Sequence, residues 1–162
     1  MAKFTSIAID EFDFLISEYG YEPTTAIDSK YGGYACFVNQ KAGVGVKVEY
    51  EYSVGLVFVF ICKLVDGEIR ENQLPITSES NINCFDFSDY LAPADRMKPA
   101  YEYDEDSSYF DPQDGLRNFA KEFATRLRIH GDSILRGDLS ILPEMEKVIK
   151  MRAERFSNKD WE

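Results

Sequence analysis

The residues that most often carry catalysis are scarce in this chain. There is one histidine, His130, and it stands beside Gly131 at the predicted end of a helix. That position favours a capping or packing role, because a helix C-terminus attracts cations and polar groups to its last carbonyls. No serine or cysteine nucleophile has a recognisable motif around the histidine. We therefore predict no catalytic residue and a protein that is not an enzyme.

Closely spaced carboxylates raise the question of a metal site in residues 98–115. Asp104, Asp106 and Ser108 have the spacing that opens a calcium-binding loop. The match fails because Tyr109 stands where that loop needs glycine and Gly115 stands where it needs the closing glutamate. A magnesium site built from four carboxylates of the stretch stays open as an alternative to the prediction of no metal. These carboxylates are Asp104, Asp106, Asp111 and Asp114.

Neither the cysteines nor the glycines form a cofactor site. Cys36, Cys62 and Cys84 are odd in number, far apart and outside any CxxC or Cys/His cluster, which favours neither a disulfide framework nor a zinc site. Two of them lie in apolar segments, where we expect small buried thiols. The glycines between residues 32 and 45 lack the Lys-Ser/Thr that follows a phosphate-binding loop. We predict no cofactor.

Negative charge is concentrated in one part of the chain. The formal net charge is −11, and residues 1–114 hold 8 Lys and Arg against 21 Asp and Glu, whereas residues 115–162 hold 10 against 8. Such a balance repels nucleic acid and anionic lipid and accelerates association with basic proteins. Acidity that merely keeps the protein soluble is the alternative.

The stretch 98–115 combines this charge with tyrosines. Tyrosine offers contact area at low entropic cost and carboxylates steer a basic partner, so the composition favours a recognition surface. A solvated linker is the alternative. The predicted partner-binding residues are Tyr101, Glu102, Tyr103, Asp104, Glu105, Asp106, Tyr109 and Asp111.

Hydrophobic periodicity predicts the elements that position this stretch. Helical spacing predicts an N-terminal helix, a short helix and two C-terminal helices. They cover residues 6–19, 82–91, 116–130 and 140–152. Strand patterns predict strands at residues 34–39, 44–51 and 56–64, and an edge strand at 68–70. Strand 44–51 alternates and should have one wet face, whereas strand 56–64 is apolar on both faces and should be covered from both sides. The order predicts one α+β domain over residues 1–162, an antiparallel meander of about four to five strands with helices packed on the sheet.

The end of the chain carries a resemblance. It reads Gly131-Asp132-Ser133-Ile134-Leu135-Arg136-Gly137-Asp138-Leu139-Ser140, followed by Leu142-Pro143-Glu144-Met145 and Arg152. Together with Phe14-Leu15 and Tyr19-Gly20-Tyr21 before a meander rich in tyrosine and valine, it resembles immunity proteins of bacterial polymorphic toxin systems. The resemblance implies a small acidic inhibitor that occludes a toxin, often a nuclease with a basic cleft. It includes no site motif, so no residue role follows from it.

These observations favour a non-enzymatic protein that binds a basic protein and neither nucleic acid nor a membrane. We expect the partner to meet the wet face of the sheet and the acidic stretch, with the last two helices as scaffold. An acidic phage or mobile-element protein that inhibits a nucleic-acid-binding host factor by charge mimicry is an alternative, as is an enzyme of unknown type. Because no apolar signal-peptide core follows Met1, we expect a cytoplasmic protein.

Overall fold

The computed structural model describes residues 3–159, in which five antiparallel strands neighbour one another in chain order. The strands are β1 (Glu22–Ser29), β2 (Gly32–Asn39), β3 (Val44–Glu51), β4 (Leu56–Lys63) and β5 (Cys84–Asp86). The helices are α1 (Phe4–Glu11), α2 (Phe14–Ser17), α3 (Phe87–Tyr90), α4 (Gly115–His130), α5 (Asp132–Leu135) and α6 (Leu142–Lys159). One-turn 3₁₀ helices lie at Pro93–Asp95, Ala100–Glu102 and Ser108–Phe110. The predicted α+β meander with N-terminal and C-terminal helices is confirmed.

Alternation along β3 separates two faces of the sheet. Val46 and Val48 are fully buried beneath the helices, while Lys47 and Glu49 lie on the opposite side and keep partial exposure. We call the face covered by α1 and α4 the inner face and the other one the outer face. Burying apolar area on the inner face supplies the main stabilisation. Its core includes Phe37, Val46, Val48, Val59, Ile61, Phe85, Phe119 and Leu127.

The N-terminal helix is divided, although periodicity predicts one helix over residues 6–19. Helix α1 ends at Glu11 and α2 begins at Phe14. Phe12, Phe14 and Leu15 are all buried. Residues two apart point to opposite sides of a straight helix, so the three could not share one buried stripe. The break between α1 and α2 lets all three reach the core.

Strand β1 was outside the predicted strands because it has no buried face. All eight residues of Glu22–Ser29 are exposed, and the strand is held by its backbone pairing with β2. A bulge lies between Pro23 and Ala26. Proline and a bulge are features that protect an exposed sheet edge from pairing with other chains.

The predicted edge strand at residues 68–70 is wrong. Val65 and Glu68 form an isolated bridge around the turn at Asp66 and Gly67. The fifth strand is β5, which occupies the start of the segment 82–91 predicted as a helix and leaves only α3 helical. Asp86 ends the strand and caps α3, because its carboxylate accepts a hydrogen bond from the Ser88 backbone N–H at 2.9 Å.

Two cysteines are paired, contrary to the expectation of no disulfide and of a buried thiol at Cys62. Cys62 of β4 lies opposite Cys84 of β5 in the antiparallel register, and the two form a disulfide across the strands. Cys36 is a free, buried cysteine. The error follows from predicting a helix at residues 82–91, since only the strand pairing brings Cys84 to Cys62.

The C-terminal part follows the prediction more closely. Helix α4 lies where it was predicted, and the predicted turn before α6 contains the short helix α5. Tyr21, fully buried, donates its hydroxyl to the Leu135 carbonyl at 2.8 Å and so ties α5 to the N-terminal region. Among the helices within residues 3–159, none combines the length and the apolar composition needed to cross a membrane.

Candidate partner-binding surfaces

The acidic segment, residues 98–115, is anchored to the core by aromatic rings. Tyr103 and Tyr109 both pack against Phe119 of α4, with ring centroids 6.4 and 5.0 Å away, and their own centroids lie 5.0 Å apart. The Tyr103 hydroxyl also accepts a hydrogen bond from the Lys98 backbone N–H at 3.0 Å. Edge-to-face aromatic contacts of this kind add to the stabilisation from burial. The charged part of the segment is therefore displayed from a fixed base.

The eight predicted partner-binding residues divide by exposure. Tyr103 and Tyr109 are half-buried in the aromatic contact just described. The other six are exposed. They are Tyr101, Glu102, Asp104, Glu105, Asp106 and Asp111. The binding role of all eight residues stays a prediction.

The carboxylates of the acidic segment lack cationic partners. Among the side chains that the structure describes, those of residues 3–157, no Lys or Arg lies within 4.0 Å of a carboxylate of the segment. These carboxylates are Glu102, Asp104, Glu105, Asp106, Asp111 and Asp114. Asp111 is engaged by backbone instead, because it accepts the N–H groups of Gln113 at 2.9 Å and Asp114 at 2.8 Å. Those bonds lower the pKa of Asp111 below the usual value.

Carboxylates next to the helices behave differently. Arg117 of α4 reaches Asp10 and Glu11 of α1, each at 3.2 Å, and Arg126 reaches Glu122 at 2.9 Å. These carboxylates of α1 and α4 are thus paired within the chain. The field of the acidic segment is directed outward, where it can act on a partner.

His130 and the carboxylates of the acidic segment are the residues considered from sequence for catalysis or metal binding. His130 is exposed at the end of α4, the position expected for a helix C-terminal residue. In the described part of the chain, the His, Cys, Asp and Glu side chains form no group of three that could hold a metal ion. The carboxylates Asp104, Asp106, Asp111 and Asp114 considered for magnesium are included in that statement.

A second candidate surface lies on the outer face of the sheet. Phe58 and Phe60 of β4 are stacked with centroids 5.9 Å apart and planes inclined by 7°, and both rings are only partly buried. Asp86 of β5 lies opposite Phe60 on one side, and Lys47 of β3 lies opposite it on the other. The prediction that this strand is covered on both sides is wrong at these two rings.

Lys47 occupies the centre of the outer face. Its ammonium forms a salt bridge with Glu71, lies 4.0 Å from Glu49 and sits 4.5 Å from the centroid of the Tyr34 ring. Burial lowers the pKa of Lys47, but the hydrogen bond to Glu71 and the charges of Glu49 and Glu71 outweigh it, so the pKa is raised. The side chain is 12% exposed and charged, and it separates two concavities.

One of these concavities, which we call the outer groove, has a volume of about 440 Å³. Phe58 and Phe60 form its floor, the loop after β4 forms one wall and α6 contributes Ile149 and Arg152. Arg152 is bound to Asp89 through two hydrogen bonds of 2.6 and 3.1 Å. The groove therefore combines an aromatic floor with a charged rim, a composition suited to recognition.

Besides the salt bridge of Glu71 with Lys47, two further contacts help to fix the loop that forms this wall, residues 64–83. Asn72 accepts the backbone N–H groups of Asn83 and Cys84 at 2.8 and 3.0 Å and donates to the Cys84 carbonyl at 2.7 Å, which satisfies the free edge of β5. Ile69 lies directly over Gly45, where a Cβ atom would overlap it. Only glycine at position 45 allows this approach.

Sequence reasoning predicted a wet outer face but missed the outer groove. The alternation of Lys47 and Glu49 indicates the face, whereas Phe58 and Phe60 look like ordinary core residues in an apolar run. Asp86 and Asp89 were not expected at this face because residues 82–91 were predicted to form one helix. The available signal was the pair of phenylalanines at spacing two, which places both rings on the same side of one strand.

Comparison with protein-family models, with curated proteins and with solved structures finds no match to the chain.

Proposed function

We propose that this protein is a non-enzymatic binding protein that occludes a basic surface of a protein partner. More specifically, the partner is a bacterial toxin, which the protein neutralises in the cytoplasm as an immunity protein does. The toxin part of the proposal rests on the resemblance of residues 131–152. The binding part rests on the surface chemistry.

One observation carries the binding part. The acidic segment presents exposed carboxylates without a cationic partner among the described residues, on a base fixed by Tyr103 and Tyr109. A charged surface that is already held in place loses little conformational entropy on binding. Its field raises the rate at which a basic partner is captured.

The test removes four charges from the acidic segment. In the variant E102Q/D104N/E105Q/D106N, the side-chain volumes stay nearly constant while the net charge rises by four. Toxin domains encoded next to the gene are sought as candidate partners; each one found is co-expressed with either form in a bacterial host, and its binding is measured by calorimetry. We expect the wild type to restore growth and the variant to bind at least about tenfold more weakly, mainly through slower association.

A matched control removes the same charge elsewhere. Glu22, Glu79, Glu144 and Glu154 are exposed and outside the salt bridges of the described chain, so E22Q/E79Q/E144Q/E154Q changes net charge equally. We expect this control to keep most of the affinity. If both variants lose the same affinity for the toxin domain, the net charge of the protein, and not the acidic segment, determines binding. Failure of the wild type either to bind the toxin domain or to restore growth would refute the toxin proposal.

A further inference from the structure

The outer groove contains more negative than positive charge. Four carboxylates and two cations line it. Arg152 is bound to Asp89, and Lys47 is bound to Glu71. Within the described residues, Asp86 has no cation within 4.0 Å, and Glu49 shares Lys47 only at that limit. The groove thus keeps two carboxylates whose charge is not matched by a cation of its own.

These two carboxylates flank the aromatic floor. Glu49 lies opposite Phe58 on β3, and Asp86 lies opposite Phe60 on β5. Both are partly buried, and burial raises the pKa of each carboxyl. Lys47 attracts Glu49 and Arg152 attracts Asp86, but neither interaction offsets the effect of burial. A cation that enters the groove would add a favourable charge interaction that water screens only in part.

The floor itself suits a particular kind of cation. A guanidinium or ammonium group is attracted to the face of an aromatic ring, and the aliphatic stem of arginine or lysine covers apolar surface at the same time. The outer face already contains one such contact, between Lys47 and Tyr34. Phe58 and Phe60 have nearly parallel rings whose centroids lie 5.9 Å apart, which is close to the spacing of alternate side chains on an extended peptide.

The rim offers an apolar contact beside the charged ones. Leu74 lines the groove and is 84% exposed, the largest exposure among the large hydrophobic side chains of the described residues. Ile76 and Ile149 lie nearby along the same wall. A small molecule would leave this rim uncovered, whereas a peptide that runs along the strand would bury it.

We propose that the outer groove binds an extended basic segment of a protein partner, with an arginine or lysine stem on Phe58 and Phe60 and its cationic head between Glu49 and Asp86. This inference rests on the proposed function only in that the partner is a basic protein. The outer groove would be a second contact site that selects an arginine or lysine side chain. The acidic segment would accelerate association with the same partner.

The probe for this site is the tripeptide acetyl-Arg-Ala-Arg-amide, whose two arginines project to the same side when extended. Binding to the full chain is followed by the shifts of backbone amide resonances during titration. We expect shifts that map to β4, β5 and residues 72–76. The peptide in which both arginines are replaced by citrulline keeps the shape without the charge, and we expect it to leave these resonances unmoved.

Two variants test the carboxylates. D86N keeps the oxygen that accepts the Ser88 N–H and so keeps the cap of α3, and E49Q changes a side chain outside that cap. We expect each to weaken the tripeptide about fivefold, as expected for loss of one partly screened charge pair. E22Q, which removes an exposed carboxylate of β1 outside the groove, is the matched control and should leave the affinity unchanged.

The outcomes separate the two proposals. Shifts confined to residues 102–111, binding of the citrulline peptide, or unchanged affinity in both D86N and E49Q would overturn the groove assignment and leave the proposed function standing. Binding in the groove with the expected losses supports the assignment. If the protein binds the arginine peptide in the groove but fails to bind or neutralise the toxin, the proposed function is refuted and the assignment of the groove to a basic peptide stands.

Discussion

The two faces of the sheet are built from alternate residues of the same strands, and they differ in how they are closed. On β4, Ile61 points to the inner face and is fully buried, whereas its neighbour Phe60 points to the outer face and stays partly exposed. Helices cover the inner face. On the outer face, a loop, a disulfide and a few polar contacts leave the groove open. An apolar strand can therefore serve as core on one side and as a recognition surface on the other.

The largest expected difference comes from truncating these two neighbours. Ile61→Ala removes fully buried volume and should lower the free energy of unfolding by about 2 to 5 kcal/mol. Phe60→Ala removes a half-open ring and should cost about 1 kcal/mol. Urea denaturation of both variants measures the difference. Similar losses for the two would show that the outer face is as much a part of the core as the inner one.

Reduction of the disulfide should give the next largest effect. Cys62 and Cys84 are 22 residues apart, and closing a loop of about that size stabilises a fold by about 3 kcal/mol. We expect a reductant to lower the melting temperature by roughly 6 to 12 °C, with the protein still folded at physiological temperature because the inner core is intact.

Thiol counting checks the assignment behind that prediction. The unfolded protein should expose one reactive thiol, Cys36, before reduction and three after it. Three thiols before reduction would show that the pair is not joined. Unfolding on reduction would contradict the proposal of a cytoplasmic protein, since glutathione and thioredoxin keep cytoplasmic thiols reduced.

The inner face was predictable from sequence because periodicity reports burial on one side. Val44, Val46 and Val48 alternate with polar residues, and the stripe of α4 repeats at helical spacing, so both the strand and the helix were found. The acidic segment was also visible from composition. Its anchoring by Tyr103 and Tyr109 was not, because aromatic residues at irregular spacing carry no periodic signal.

The outer face could not be predicted because contacts between distant segments define it. β5 is three residues long, and Asn72 hydrogen-bonds beside it where a further strand would otherwise pair. No local pattern distinguishes such an asparagine from a loop residue. The groove exists only once Asp86, Phe60 and Arg152 converge from three separate elements. Local sequence preferences predict single helices and strands, but they do not predict which residues of separate elements meet in space.

Asn72→Ala tests how far polar contacts hold the outer face. The substitution leaves two buried-edge N–H groups and one carbonyl of β5 without their partner, which should cost about 1 to 2 kcal/mol. Hydrogen exchange should accelerate at residues 83–84. Asn81→Ala, at an exposed asparagine nearby, is the control and should change stability by less than about 0.5 kcal/mol. A similar loss in both variants would mean that the loop follows β5 without clamping it.

The smallest expected effect is the pH dependence of Asp86. Burial raises the pKa of this carboxyl above the usual aspartate value, despite the hydrogen bond from Ser88. The native state then holds a proton at pH values where the unfolded chain has lost it. Stability contributed by this group falls as the pH rises through that interval, and the penalty is fully present above the native pKa.

D86N should therefore be more stable than the wild type at pH 7, and the difference should shrink as the pH is lowered toward the usual aspartate pKa. Urea midpoints of both proteins across this range measure it. D111N gives the opposite sign as a control, because backbone N–H groups lower the pKa of Asp111 and their contribution is present at neutral pH. If D86N raises the stability of the protein and also lowers its affinity for the arginine peptide, Asp86 serves binding rather than folding. If the urea midpoints of D86N and the wild type change in parallel with pH, Asp86 is well solvated. Its attraction for a guanidinium in the groove would then be weaker.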